Sequence, residues 1–405
     1  MKKILLATIL LAIPFSFISC DKDDDDMGGN EGPDFMGETM VYNLSSVSDA
    51  SISGTATVME NEDNSTTIEI KLDGTSDGMH PAHIHYNTAA EGGDIALTLE
   101  SIDGSTGMSS TTFSTLDDGT SVSYEDIINF DGYINVHLSA DDLGTLVAQG
   151  DIGENMLTGE SKTYMLEERD AEGISGMAMF QERVNGEALA TLMLENTPDG
   201  GMHPAHIHTN TAAEGGDIAF TFNSVNGTTG MSRTNVAALD DGSAFMYEDV
   251  LDYDGYINVH LSADALGTLV AQGDIGQNEL TGNSESYDLS TKDVAGIMGT
   301  AMFSERVNGE TLVTIMLTGT PADGMHPAHI HMGSVAEAPG DIAITLNSIV
   351  GASGMSKTNV TKFNGDDGES IDFESLIEYD GYINVHLSAE QLDVLVAQGD
   401  IGSNS

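Results

Sequence analysis

Three internal repeats are the feature that most limits how this chain of 405 residues can fold. The motif H-P-A-H-I-H begins at His80, His203 and His326, so that successive copies lie 123 residues apart. The motifs D-G-Y-I-N-V-H-L-S-A and V-A-Q-G-D-I-G follow each copy in the same order. A period of this length exceeds that of the usual solenoid repeats, and each copy is long enough to enclose its own core. The sequence therefore predicts three tandem, self-sufficient domains, at residues 38–153, 162–276 and 285–402.

The hydrophobic pattern inside each copy is that of β-strands. Apolar and polar side chains alternate in the way that is typical of a half-buried strand, and Asp-Gly turn signals separate the segments. On this pattern we expect strands at residues 66–72, 95–99, 134–138, 188–194 and 311–317. The fold class predicted is all-β, with one small barrel or sandwich per copy. One short helix is expected after the N-V-H strand, because Ser139 and Asp142 have the spacing of a capping box.

The N-terminus predicts a secreted lipoprotein. Lys2 and Lys3 precede an apolar run that is too short for a membrane span, and Cys20 follows it. Cys20 is the only cysteine, which excludes an internal disulfide. The sequence F-I-S-C resembles a bacterial lipobox, which implies lipidation of Cys20. The alternative is an ordinary signal peptide that is cut nearby.

The residues after Cys20 indicate how the mature chain is attached. The run D-K-D-D-D-D resembles the acidic tether of Bacteroidetes surface lipoproteins. We therefore expect a signal peptide at residues 1–19 and an acidic, flexible tether at 20–37. The expected location is the outer membrane at the cell surface, with the lipid anchor as the only contact with the membrane.

The charge of the chain restricts its partners. With 66 acidic and 12 basic residues, the formal net charge is −54. Nucleic acid is excluded as a partner because binding phosphates requires a basic surface. Cations are the natural counter-species, and a solvated surface that resists aggregation is favoured over a specific role as the explanation of the acidity. No G-x-S-x-G, P-loop or nucleotide motif is present, which favours a binding protein over an enzyme.

The histidines are concentrated at four positions in each copy. His83 and His85 are two residues apart on one strand and therefore point to one face, as His137 does on a later strand. If these strands lie together, the three imidazoles converge, with His80 as a fourth ligand or a supporting residue. Imidazoles suffice to bind copper or zinc. The candidate metal ligands are His80, His83, His85, His137, His203, His206, His208, His260, His326, His329, His331 and His386.

Two other groups of residues recur beside the histidines. Met79, Met202 and Met325 directly precede the first histidine, where packing is expected and a weak thioether contact to copper is the alternative. Several carboxylates either form turns, orient imidazoles or bind calcium, although their spacing matches no EF-hand. These carboxylates are Glu91, Asp94, Asp131, Glu214, Asp217, Asp254, Asp341 and Asp380.

The combination of motifs resembles the CHRD domain, the module named after chordin. The matching elements are A-H-I-H, then Glu91-Gly92-Gly93-Asp94-Ile95, then G-Y-I-N-V-H-L, and finally Gly150-Asp151-Ile152-Gly153. The resemblance covers nearly the whole chain after the tether, three times over. It implies an immunoglobulin-like β-barrel and an extracellular location, but no settled activity. The closing G-D-I-G lacks the arginine usual in that family, and residues 332–340 replace the N-T-A-A-E-G-G loop of the first two copies.

A second resemblance is local. G-M-H-P-A-H-I-H is similar to the G-x-H-x-x-H-x-H copper strand of copper/zinc superoxide dismutases, which implies copper ligation by His83 and His85, with His137 as a later ligand. The zinc ligands, the bridging histidine and the disulfide of that family have no recognisable counterpart. Three functions therefore stay open: a surface metal-binding protein, an adhesion array with structural histidines and an extracellular protein or glycan partner, and a dismutase-like redox enzyme.

Overall fold

Antiparallel strands in one repeated order form all three domains of the computed structural model, which describes residues 37–48, 50–365 and 368–405. The predicted signal peptide, Cys20 and the tether up to residue 36 lie outside these residues. In the first and third domains, eight strands close into a barrel. In the second domain two of the eight strands are each interrupted, so the same order forms a curled ten-stranded sheet. The prediction of an all-β protein with three barrel-like domains is confirmed.

The bounds of the elements show the repetition. The first domain comprises β1 (Thr39–Ser46), β2 (Ser53–Glu60), β3 (Thr66–Asp73), β4 (Met79–Tyr86), β5 (Ile95–Asp103), β6 (Met108–Phe113), α1 (Tyr124–Ile128), β7 (Asp131–Ser139) and β8 (Asp142–Gly153). The second comprises β9 (Leu157–Glu168), β10 (Ser175–Arg183), β11 (Ala188–Glu195), β12 (Met202–His203), β13 (Ala205–Thr209), β14 (Ile218–Thr221), β15 (Val225–Asn226), β16 (Met231–Val236), α2 (Tyr247–Leu251), β17 (Asp254–His260) and β18 (Leu269–Gly276). The third comprises β19 (Leu280–Thr291), β20 (Met298–Arg306), β21 (Thr311–Thr318), β22 (Met325–Met332), a 3₁₀ turn (Val335–Glu337), β23 (Ile342–Val350), β24 (Met355–Val360), α3 (Phe373–Ile377), β25 (Asp380–Ser388) and β26 (Gln391–Gly402).

Alternation of side chains explains why these segments are strands. In β3, Ile68 and Ile70 are buried while Glu69 is exposed, which is the expected result of the two-residue period. All five predicted strands are found, as β3, β5, β7, β11 and β21. The inward residues form a separate hydrophobic cluster in each domain, so each domain has its own core.

The predicted helix after the N-V-H strand is wrong. Ser139 ends β7 and Asp142 begins β8, so these residues close a tight hairpin in which Ser139 Oγ accepts from the Asp142 amide at 3.2 Å. The helix lies before that strand instead, where Ser123 and Asp126 form the capping box of α1. Within the described residues, no helix is both long and apolar enough to span a membrane.

The joints between the domains are built into the sheets. β9 begins at Leu157 and β19 at Leu280, inside the short stretches that the sequence left between domains. The last strand of one domain and the first strand of the next are therefore only a few residues apart in the chain, and little linker remains between the domains.

Candidate metal centre

Strand pairing brings together three of the four predicted histidines of each domain. β4 lies next to β7, with His83 opposite Asn135 and His85 opposite Tyr133. His137 lies two residues beyond Asn135, on the same outward face of the barrel. The ring centroids of His83 and His137 are 5.1 Å apart, and those of His83 and His85 are 5.9 Å apart.

The ring nitrogens of this triad converge on one point. His83 Nδ1 lies 3.1 Å from His137 Nε2, and the ligand nitrogens of all three histidines lie within 4.8 Å of one another. The second and third domains repeat the 3.1 Å contact in the triads His206, His208, His260 and His329, His331, His386. No carboxylate belongs to any of these clusters among the described residues.

Backbone carbonyls fix the tautomer of two imidazoles in each triad. His85 Nδ1 donates to the Gly93 carbonyl at 2.9 Å, and His137 Nδ1 donates to the Leu143 carbonyl at 2.7 Å. Because a neutral imidazole carries one proton, the Nε2 atoms of both rings carry a lone pair, and that of His137 faces His83 Nδ1. A ligand histidine that donates its other N–H to a carbonyl is typical of metal sites. The equivalent donors are His208 to Gly216, His331 to Gly340, His260 to Leu266 and His386 to Leu392.

The middle histidine of each triad, in chain order, is His85, His208 or His331. The Nε2 atom of this histidine has no hydrogen-bond partner among the described residues. Nε2 of His85 is buried and accepts no hydrogen bond from any described residue, and the same holds for His208 and His331. A buried polar atom without a partner costs roughly 1–3 kcal/mol. Its recurrence in all three domains leaves one unused acceptor nitrogen in each triad among the described residues.

A tyrosine that the sequence reading missed supports each middle histidine. Tyr133 stacks on His85 with ring centroids 5.0 Å apart. Its counterparts Tyr256 and Tyr382 stack in the same way, and their hydroxyls accept from the amides of Gly216 and Gly340. The signal was present in D-G-Y-I-N-V-H, because tyrosine, asparagine and histidine alternate there and so share the outward face.

The fourth histidine does not join the triad. His80 lies on the opposite, inward face of β4 and is 1% exposed. Its Nδ1 is 3.3 Å from the His137 carbonyl oxygen, and its Nε2 is 3.0 Å from the Ser76 carbonyl oxygen. His203 and His326 take the same inward position. The structure thus places the first histidine of H-P-A-H-I-H beneath the site as a packing and hydrogen-bonding residue, because three residues of strand reverse its direction relative to His83.

Methionine and the recurring carboxylates also lie apart from the triads. Met79 is 54% exposed, so the expected packing role is wrong. It is also four strand residues from His83, roughly 13 Å, which is too far for a shared ion. Glu91 accepts from Thr88 Oγ1 and Asp131 accepts from an asparagine amide, so both brace turns.

Burial lowers the pKa of the first and the last histidine of each triad. It lowers the pKa of His83, and the neighbouring His137 and His85 lower it further, while Asp117 partly opposes the shift. In the third domain burial, His386 and His331 lower the pKa of His329 to about 4. Burial likewise lowers the pKa of His137, His260 and His386, against the opposing effect of the carbonyl that each ring contacts.

Each triad therefore brings three imidazole nitrogens within coordinating distance of one point. Neutral imidazole is the form that ligates metal ions, and three such ligands leave a further coordination position for water or another ligand. Comparisons with models of known protein families, with curated proteins and with solved structures find no match.

Proposed function

We propose that this protein binds copper or zinc ions through three His₃ sites, one in each domain. The observation that carries the proposal is the direction of the lone pairs. In the first domain, two Nδ1–H groups are held by the carbonyls of Gly93 and Leu143, so the Nε2 atoms of His85 and His137 face the Nδ1 atom of His83. To ligate an ion through Nδ1, His83 would carry its single proton on Nε2 and not on the nitrogen that now faces His137.

The ligand set favours borderline transition metals. Calcium and magnesium prefer oxygen ligands, and no carboxylate lies in a triad of the described chain. Imidazole is a suitable ligand for both zinc and copper, and copper(II) binds nitrogen ligands with higher affinity than zinc does. The acidic surface, with a formal charge of −54, concentrates cations around these sites.

A purely structural role explains less of the geometry. The contact between His83 and His137 would serve the fold by itself. The buried Nε2 atom of His85 has no hydrogen-bond partner among the described residues, and an ion would give it a partner.

The location belongs to the same proposal. The lipobox-like F-I-S-C and the acidic run that follows it support a lipoprotein held at the cell surface through Cys20. The CHRD-like motifs support an extracellular setting. In this view the three domains form a membrane-tethered, extracytoplasmic array of metal sites.

Metal titration tests the proposal directly. The chain from residue 21, freed of metal, should take up about three equivalents of Zn²⁺ or Cu²⁺ with micromolar or tighter affinity and lose them in acid. Replacing His83 and His85 together by Ala should remove one equivalent. Met79→Leu, on the same strand and face, is the matched control and should remove none. Uptake that is weak, or that the histidine variant leaves unchanged, would reject the sites.

A further inference from the structure

The joints between consecutive domains are built around a buried arginine. Arg183 of the second domain and Arg306 of the third are among the largest fully buried side chains of the described residues, with 0% side-chain exposure. Each guanidinium binds a carboxylate of the preceding domain at 2.8 Å, Arg183 to Asp151 and Arg306 to Asp274. A buried charge demands such a partner, so each arginine ties two domains together.

The first joint leads directly to the loop that holds a ligand histidine. We call residues 87–93 the site loop of the first domain. Asp151, which Arg183 binds through Oδ2, accepts from the Ala89 amide through Oδ1 at 2.8 Å. Arg183 also donates to the backbone carbonyl of Asn155, whose side chain donates to the Asn87 carbonyl at 3.1 Å.

The end of the site loop is the group that orients the metal ligand. Gly93 accepts from His85 Nδ1 and thereby decides where His85 Nε2 points. Hydrogen bonds thus connect Arg183 in one domain through Asp151 to the Ala89 amide, and the backbone of the site loop carries the connection on to Gly93 and the ligand His85. Groups that orient metal ligands in this way typically change metal affinity by 10–100-fold.

The second joint repeats the first, and the third domain supplies a contrast. Arg306 binds Asp274, which accepts from the Ala212 amide at 2.8 Å. In the third domain Asp400 still accepts from the loop, at the Val335 amide. However, no arginine binds Asp400 among the described residues.

We propose that Arg183 and Arg306 are positioning residues that couple the docking of each domain to the metal site of the domain before it. The inference rests on the proposed metal binding. Each arginine restrains the site loop and so presents the middle histidine with its lone pair correctly aimed. Because coupling between two equilibria is reciprocal, a metal ion in one domain also strengthens the joint to the next. The first and second sites are coupled in this way, whereas Asp400 of the third has no arginine partner among the described residues.

Single-site versions of the full chain test the coupling. His260→Asn with His386→Asn leaves only the first triad intact, and His137→Asn with His260→Asn leaves only the third. Arg183→Met is then introduced into both chains. The probes are Zn²⁺ affinity, measured by competition with a chelator, and the visible absorption of bound Co²⁺, which reports ligand geometry.

We expect Arg183→Met to weaken Zn²⁺ binding at the first site by about tenfold and to change its Co²⁺ spectrum. The third site should keep both its affinity and its spectrum. Asp151→Asn should reproduce the effect on the first site, and Arg306→Met should affect the second site alone.

Two results would overturn the coupling. One is an unchanged affinity and spectrum at the first site, and the other is an equal loss at the first and third sites, which would reveal general destabilisation. If none of the parent chains binds either ion, the proposed function itself fails. Hydrogen exchange of the Ala89 amide in the metal-free protein then tests whether Arg183 restrains the site loop. Exchange should be faster in Arg183→Met, and an unchanged rate would overturn the link between Arg183 and the loop.

Discussion

The third metal centre has different surroundings from the first two, although its triad has the same shape. The centroid distance between the first strand histidine and the later one is 5.1 Å in each domain. The loop behind the middle histidine nevertheless differs, because His331 and Gly340 are nine residues apart whereas His85 and Gly93 are eight apart. The loop can therefore change while the geometry of the triad is kept, because that geometry depends on the register of the two paired strands that carry the histidines.

The charge near the first histidine of the triad also differs between the third domain and the first two. Asp117 and Asp240 lie near the first strand histidine in the first two domains and oppose the lowering of its pKa. Asn364 takes this place in the third domain. All three accept from the amide of a threonine on the neighbouring strand, at 3.0 Å. The exchange of Asp for Asn thus removes a charge while keeping the structural hydrogen bond, which makes the three domains a natural comparison of charge at constant geometry.

The largest expected effect comes from removing a ligand. His137→Ala should weaken Zn²⁺ binding in the first domain by more than about 100-fold, because even residues that only orient ligands contribute 10–100-fold. The second and third sites should be unaffected, since each triad is complete within its own domain. Isothermal titration should show two equivalents in place of three.

His80→Gln sharpens this result. His80 lies beneath the site with its ring nitrogens against backbone carbonyls, so its loss should cost about 1–3 kcal/mol of stability. Thermal unfolding should therefore shift to lower temperature while three equivalents still bind. Loss of one equivalent in this variant would restore His80 as a ligand.

Exchanging the aspartate of the first domain for the asparagine of the third, and the reverse, has the next largest expected effect on metal affinity. Asp117→Asn should weaken metal binding at the first site by about fivefold at pH 7.5, because a nearby carboxylate attracts a cation by about 1 kcal/mol in water-like surroundings. The reverse change, Asn364→Asp, should strengthen the third site to a similar degree. Single-site chains titrated at low and high salt provide the measurement, and the effect should shrink with salt. Changes of the same sign in both variants would contradict the role given to the charge.

The pH dependence distinguishes the third site from the others. Burial and its two histidine neighbours lower the pKa of His329 to about 4, so this imidazole stays neutral from pH 6.5 down to about 4, and protons displace a metal ion from this ligand only near the lower limit. In the first two domains Asp117 and Asp240 favour the protonated form, so competition begins at a higher pH. Zn²⁺ affinity of single-site chains should therefore fall less steeply with acid at the third site. Asn364→Asp should remove this difference, and parallel curves in the unchanged chains would refute it.

Strand periodicity predicts which face each triad residue occupies, whereas the convergence of the three imidazoles also depends on the pairing of β4 with β7. The spacing of His83 and His85 and the alternation in N-V-H determine which faces the side chains occupy, and these rules hold whatever the rest of the fold does. The sequence leaves His80 open as a fourth ligand or a supporting residue, and its contacts with two backbone carbonyls favour the supporting role. The predicted helix at Ser139 failed because a serine and an acid three residues apart also suit a tight hairpin, and local sequence does not decide between them.

Other parts of the site depend on contacts between distant segments. The carbonyls of Gly93 and Leu143 that fix the tautomers come from loops whose course the sequence does not give. The tie between Arg183 and Asp151 crosses a domain boundary, and a lone arginine on a strand carries no sign of its partner. Tyrosine was overlooked because its stacking role depends on the pairing of β4 with β7.

The smallest expected effect concerns the tyrosine hydroxyl. Tyr382 accepts from the Gly340 amide at 2.8 Å, and Tyr256 accepts from the Gly216 amide at 3.2 Å. In the second domain Arg306 also restrains the loop, whereas in the third the tyrosine works without such a tie. Tyr382→Phe should therefore weaken the third site about threefold, within the roughly 1 kcal/mol of one hydrogen bond, and Tyr256→Phe should weaken the second site by less. Competition titrations of single-site chains resolve such differences, and equal losses would mean that the loops are held independently of the joints.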